Sequence, residues 1–383
     1  MASEWRCTKI SMELSKMITL DEFEKKFAEY YNVPHAFAVT SPFMANMLMY
    51  SMLEHKYLVN GYDKKYFKGD IIVPAICPPS TFLPLKHLGF KINVVDIDEN
   101  TLNIDPHKIY DSLTPHTRAI LVYNNLGNSA DYYRIRQIAR DNDLLIIEDV
   151  TTSFGSVADS DEYCGTIGNL STFKIFDKGI ITCRTQDDAN YLRTLRNAGL
   201  MEDHEKHKWF KDGHNEKKFL KTDVFKDTYQ TVSLGYGVKP GRYDLDSHGK
   251  YLSSWPKTKE HRTNNGDYWK TRIRMLPFFK TQKETGVSSW EGLSLICQGV
   301  LHGQRDEVVK TLKKVNVDVK PIYTHVLKNT VSEYLNTISK ETPVADNVHE
   351  NGLFIPNMDH DWEHKIDEIY VALKELEMNL TKE

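Results

Sequence analysis

Leu144-Leu145-Ile146-Ile147-Glu148-Asp149-Val150 is an apolar run ending in two acids, with Gly155 a short way beyond it. A short apolar run bounded by polar residues reads as a buried strand. In an open α/β sheet the ligand lies in the crevice outside the carboxyl ends of the strands. Asp149 is therefore a candidate ligand-site carboxylate, with a helix cap or a solvated turn acid as the alternative reading.

Further short strand-like runs lie on either side of this segment, at Phe37 to Thr40, Ile71 to Pro74, Ile92 to Ile97, Ala119 to Tyr123 and Gly179 to Cys183. They alternate with helical segments, which predicts an α/β fold with a mainly parallel sheet and crossover helices. Between two of them, Asp131 to Asp143 puts Tyr132, Ile135, Ile138 and Ala139 on one helical face. Asp105-Pro106 opens another helix, with an acid ahead of a proline in the first turn. From about residue 256 a smaller α+β unit begins. It ends in an amphipathic helix carrying Ile366, Ile369, Leu373, Leu376 and Leu380, which is expected to dock on a small sheet. The chain thus divides into a large unit, 1–255, and a small one, 256–383. Residues 201–230 break the pattern as a charged excursion in which seven lysines meet seven acids, so no one-signed nucleic-acid patch results.

The 383 residues suffice for a sizeable core, and 40% apolar with 27% charged content is ordinary for a globular protein. A net charge of −4 gives no electrostatic reason to expect nucleic acid or anionic membrane as partner. The first residues lack the continuous apolar segment of a signal peptide, and no run is long enough to span a bilayer, so a cytoplasmic location is expected. Cys7, Cys77, Cys164, Cys183 and Cys297 are scattered singly and read as reduced thiols. His204 and His207 lie in the charged excursion, and no metal is expected.

Several separated segments together resemble one family, the DegT/StrS type of pyridoxal-phosphate-dependent sugar aminotransferases, through nearly the whole chain. They are Gly69-Asp70-Ile71-Ile72-Val73-Pro74-Ala75, Val94-Val95-Asp96-Ile97-Asp98 with Thr101 to Asp105, Asn125-Leu126-Gly127-Asn128, Ile147-Glu148-Asp149 and Gly165-Thr166-Ile167-Gly168. Leu195-Arg196-Asn197-Ala198-Gly199, Leu234-Gly235-Tyr236 and His349-Glu350-Asn351-Gly352-Leu353-Phe354-Ile355 continue the series. The resemblance implies a fold-type-I homodimer in which both subunits build each active site. It also implies pyridoxal 5'-phosphate as cofactor, a nucleotide-linked keto sugar as substrate and glutamate as amino donor.

The same resemblance assigns roles. Asp149 matches the carboxylate that keeps the cofactor's ring nitrogen protonated, so that the ring acts as an electron sink. Ser41, Phe43, Thr152 and Ser171 fall around the cofactor. The family's lysine, which forms the Schiff base, sits on a loop after Phe-Ser-Phe. Here Thr172-Phe173-Lys174-Ile175-Phe176-Asp177-Lys178-Gly179 is several residues too short for that loop. Lys178 is the catalytic lysine displaced by the deletion, or the lysine loop is gone. Lys174 stands where the family has a phosphate-contacting serine, and either binds phosphate by charge or takes over the Schiff base. The alternative for both is an exposed turn lysine.

Other family positions are altered as well. Pro42, which has no N–H, interrupts the family's phosphate turn, and Pro78 takes the place of the aromatic that covers the ring, leaving Phe82 as the nearest substitute. Thr152 keeps a hydroxyl where a longer side chain contacts the cofactor's hydroxyl, and Gly237 replaces an asparagine that reaches across the dimer. One branch of the family replaces the lysine by histidine and dehydrates a nucleotide-linked keto sugar. Ser171-Thr172-Phe173 and Ser288-Ser289-Trp290 resemble that branch, yet no histidine occupies the site. Three functions therefore stand: an aminotransferase, a catalytically degenerate dimeric binding protein, and a 3-dehydratase-like enzyme. His325 and His349 read as polar packing residues, with a sugar-nucleotide contact as the alternative.

Overall fold

The computed structural model describes residues 18–59, 69–200, 235–241 and 245–381. The expected excursion at 201–230, with His204 and His207, lies outside the described residues, as does Cys7. The elements in chain order begin with α1 (Leu20–Tyr31), β1 (His35–Val39), α2 (Pro42–Val59), β2 (Asp70–Pro74), α3 (Pro79–His87) and β3 (Lys91–Val95). They continue through α4 (Pro106–Ser112), β4 (Thr117–Tyr123), α5 (Tyr132–Asp141), β5 (Leu145–Val150), β6 (Leu170–Ile175), β7 (Lys178–Cys183) and α6 (Gln186–Arg196). After α7 (Asp246–Ile273) come β8 (Phe279–Lys280), β9 (Gly292–Cys297), α8 (Arg305–Lys314), β10 (Lys320–Pro321) and β11 (Thr337–Ser339). The described chain closes with α9 (Pro343–Asn351), β12 (Gly352–Pro356) and α10 (Glu363–Leu380).

The helices start where side chains can satisfy the unpaired amides of a first turn. Thr19 and Glu22 form a reciprocal capping box on α1, Asp105 caps α4 ahead of Pro106, and Asp131 caps α5. On α5 the expected apolar face appears, with Tyr132, Ile135 and Ala139 buried.

Eight strands form the main sheet in the order β1-β7-β6-β5-β4-β2-β3-β11. The neighbours from β6 through β11 are parallel, while β7 runs antiparallel to both β6 and β1. The chain steps outward from β2 to β3 and then returns to place β4 on the other side of β2, a reversal of the kind that opens a ligand crevice at strand ends. Apolar side chains cover both faces, one with Ile147, Leu121 and Ile181, the other with Ile146, Val122 and Ile180. This period-two division decides which side of the sheet every strand residue serves.

The second sheet, β10-β12-β9-β8, is antiparallel throughout. Ile366, Ile369 and Leu373 of α10 are buried in its core, with Leu376 and Leu380 packed at the margin, so the terminal helix docks as expected. Residue 255 falls within α7. That helix places Leu252 and Trp255 in a core of the large sheet and Trp269 and Ile273 in the core of the small one. Beyond it, β11 pairs with β3 of the large sheet, an edge strand that the sequence pattern did not reveal. Cys77, Cys164, Cys183 and Cys297 are buried and form no disulfide among the described residues.

Gly179 fixes the approach of α2 to the sheet. A Cβ there would lie 2.4 Å from the Ser41 carbonyl oxygen and 2.7 Å from the Ala45 Cβ. Gly179→Ala is expected to push the start of α2 off β7 and cost about 1–3 kcal/mol by overpacking, read as a lowered urea midpoint at unchanged slope.

Candidate active site

Glu148 and Asp149 are adjacent on β5, so their side chains leave opposite faces of the sheet. Both are fully buried. Glu148 is saturated: it accepts from the Tyr132 hydroxyl at 2.6 Å, from the Gly165 and Ile167 amides at 2.7 and 2.8 Å, from the Gly168 amide, and from Ser171 Oγ at 3.3 Å. It thereby ties the segment between β5 and β6 to the sheet.

Asp149 faces α2 and α3. Its Oδ2 accepts from Asn46 Nδ2 at 2.9 Å and Thr81 Oγ1 at 2.6 Å, and its Oδ1 accepts from the Thr151 amide at 3.0 Å. Asn46 is held in turn, since Thr172 Oγ1 donates to its Oδ1 at 2.7 Å and its Nδ2 also reaches the Ser80 carbonyl at 2.9 Å. Among the described residues no cation pairs with Asp149, and Oδ1 carries a single hydrogen bond. A buried carboxylate in this state has capacity for one more charge-assisted donor, the requirement of a protonated ring nitrogen. Burial, reinforced by the Asp149 charge, holds the Cys77 thiol and the Tyr50 hydroxyl well above their ordinary pKa values, so both stay protonated beside it.

Cross-strand partners share a face, and this separates the expected site residues. Thr172 pairs with Asp149, and two residues on, Lys174 pairs with Gly179 on the same side. Lys174 is exposed. Because Gly179 lies against Ser41 and Ala45, Lys174 belongs beneath the start of α2. There Ser41 Oγ accepts from the Met44 amide at 3.3 Å, and Phe43 packs edge-on against His87 with ring centroids 6.0 Å apart. Thr152 lies on the Asp149 side through its 2.8 Å hydrogen bond to Tyr123, which neighbours Asp149 on β4.

Lys178 and Ser171 are not part of this group. Ile175 pairs with Lys178 across a two-residue turn, Phe176-Asp177, so Lys178 shares the face of Ile175 and Ile180, opposite Asp149. Its Nζ lies 2.5 Å from Asp177, which also meets His248 Nε2 of α7 at 3.2 Å. Pairing with Lys178 holds the Asp177 carboxyl below its ordinary pKa. Ser171 faces Glu148 for the same reason of parity. Lys178 and Ser171, expected around the ring, thus lie on the face of the sheet opposite Asp149. Phe82 is likewise a core residue, fully buried.

Asn46, Thr81, Thr172 and Tyr123 escaped the sequence reading. Parity along β6 was the available signal for Thr172, since it shares spacing with Lys174 and not with Ser171. Asn46 and Thr81 meet Asp149 only through packing of α2 and α3, which no local pattern encodes.

His325 and His349 are packed together, with ring centroids 5.7 Å apart. His325 is fully buried; its Nδ1 accepts from the Leu327 amide at 3.1 Å and its Nε2 lies 3.0 Å from Asp346 Oδ1. Burial holds the pKa of both histidines below the usual 6.5. Their contribution to stability is thus fully present above 6.5 and is lost as pH falls through the lower folded-state values. Between pH 7.5 and 5.5 the urea midpoint is expected to fall, and to fall less in His325→Gln.

This architecture, with a buried carboxylate at the end of a central parallel strand, is that of the fold-type-I pyridoxal-phosphate-dependent transferases. Within them the chain belongs to the DegT/DnrJ/EryC1/StrS aminotransferase family, which matches residues 11–374. It is 32% identical over 376 residues to GDP-4-keto-6-deoxy-D-mannose 3-dehydratase of Yersinia pseudotuberculosis, covering 94% of this chain and 93% of that protein. A structure of the Escherichia coli 3-dehydratase with bound hydrated PLP superposes with a TM-score of 0.83 at 27% identity, over 97% of this chain and 96% of that one. Another 3-dehydratase structure, holding a trapped PLP-glutamate geminal diamine, also gives 0.83, at 28% identity over 97% of both chains. GDP-perosamine synthase of Caulobacter vibrioides is 24% identical over 93% of this chain and 89% of its own length.

Proposed function

We propose that this protein binds a B6 cofactor and a GDP-linked 4-keto-6-deoxy sugar in the Asp149 crevice, as a homodimer of the 3-dehydratase type that holds its cofactor without a covalent lysine link. One observation carries the reading. The family's lysine loop is replaced by the Phe176-Asp177 turn, which keeps β6 and β7 paired to their ends and turns Lys178 to the far face. The likeness to two 3-dehydratases at 31–32% identity supports this branch over simple amino transfer.

When bound, the cofactor would supply an electron sink. Asp149, held in place by Asn46, Thr81 and the Thr151 amide, would pair with the ring nitrogen and keep it protonated. Ser41 and the first turn of α2 would hold the phosphate, since a helix N-terminus favours an anion. Lys174 adds a positive charge in place of the donor lost at Pro42. Glutamate is the amino donor in this reading.

The test is to load the purified protein with pyridoxal phosphate, treat it with borohydride and record its intact mass and binding curve. Saturable binding with no added covalent mass is expected. Lys174→Ala should weaken binding about tenfold and Asp149→Ala by about a hundredfold or more, the scale of a lost charge-assisted contact and of a lost buried one. Covalent mass on either lysine would overturn the reading in favour of an aminotransferase. Absence of binding would leave only the degenerate binding protein.

A further inference from the structure

Thr152 stands where a longer family side chain would meet the cofactor's ring hydroxyl, and its own side chain is too short to do so. Its Oγ1 instead donates to the Tyr123 hydroxyl at 2.8 Å, with the Asn124 carbonyl as a second acceptor at 3.1 Å. Tyr123 ends β4 and is the register partner of Asp149. Neighbouring side chains on one face of a parallel pair rise from the sheet side by side, and a tyrosine reaches farther than an aspartate by the length of its ring. Tyr123 and Asp149 therefore leave the same face of the sheet side by side, with the tyrosine hydroxyl the farther-reaching of the two groups.

Three features fit this hydroxyl for a ligand contact. Tyr123 is buried, and burial together with nearby Tyr323 and Asp149 raises its pKa well above the ordinary value, so it keeps its proton and can donate it. A hydroxyl that accepts from Thr152 has that proton to give. The Tyr323 hydroxyl competes for it as a neutral acceptor, and a negatively charged ring oxygen is the stronger acceptor of the two. The Tyr123 ring is also fixed from the other side by Tyr323, edge-on with centroids 5.6 Å apart. Tyr323 itself sits at φ +40, a conformation that a bulky residue keeps only where its surroundings impose it. They do so here: β10 ties residues 320–321 to β12, while the Cys77 amide bonds the Thr324 carbonyl and the Val326 amide bonds that of Ala75.

We infer that Tyr123, backed by Thr152, is the residue that recognises the 3-hydroxyl oxygen of the pyridine ring held over Asp149. The inference rests on the proposed cofactor reading and adds a binding residue to it. Tyr123 acts here as a neutral donor that orients the ring, and no proton leaves it.

The probes are pyridoxamine 5'-phosphate and its 3-deoxy analogue, titrated calorimetrically against the whole protein. Wild type is expected to prefer the hydroxylated probe by about tenfold, the scale of one buried hydrogen bond. In Tyr123→Phe the two affinities should come within about twofold of each other. In Thr152→Val, which leaves the tyrosine ring in place, the preference should drop to about threefold. A merely structural role would weaken both probes equally, and that result, or an unchanged preference in Tyr123→Phe, overturns the inference. If Tyr123→Phe does not fold, the Thr152→Val ratio decides: an unchanged preference overturns it. Failure of wild type to bind either probe, or binding that ignores Asp149→Ala, overturns the cofactor reading itself and this assignment with it.

Discussion

A buried strand that ends in two consecutive carboxylates must satisfy one on each face of its sheet, and the fold is organised around that constraint. Glu148 directs all its acceptor capacity inward, to three amides of the segment ahead of β6 and to the hydroxyls of Ser171 and Tyr132. Among the described residues Asp149 receives three hydrogen bonds, from α2, α3 and its own turn. One acid ties the scaffold together, and the other keeps acceptor capacity in reserve.

Much of this was legible in the sequence. The apolar runs and their helical spacers revealed the α/β class, and the acid pair at the end of the central strand singled out Asp149 independently of any likeness to a family. The side of the sheet on which each polar residue emerges was harder to read. Ser171, Lys174 and Lys178 looked equivalent as a cluster, but parity in a continuous hairpin sends the first and last to one face and the middle one to the other. The hairpin decides this. A deletion in a loop reads as a displaced residue along the chain, whereas in three dimensions it closes the strands and turns the next side chain to the opposite face.

The small unit is also more entangled with the large one than the composition suggested. A single helix, α7, contributes tryptophans to two cores. The segment after β10 is stitched to residues 75–77 by backbone hydrogen bonds, so it joins the end of β2 from a distant part of the sequence. Contacts of this kind join positions with no local relation, which is why Tyr323 carried no signal in its own neighbourhood.

The Phe176-Asp177 turn has an evolutionary corollary. Where an enzyme has merely exchanged its reactive amine for another side chain, one codon change can return it. Here β6 and β7 are zipped together up to a two-residue tip. An amine presented from this tip on the Asp149 side would take an insertion that reopens the hairpin and lengthens the path, a change that point mutation does not supply.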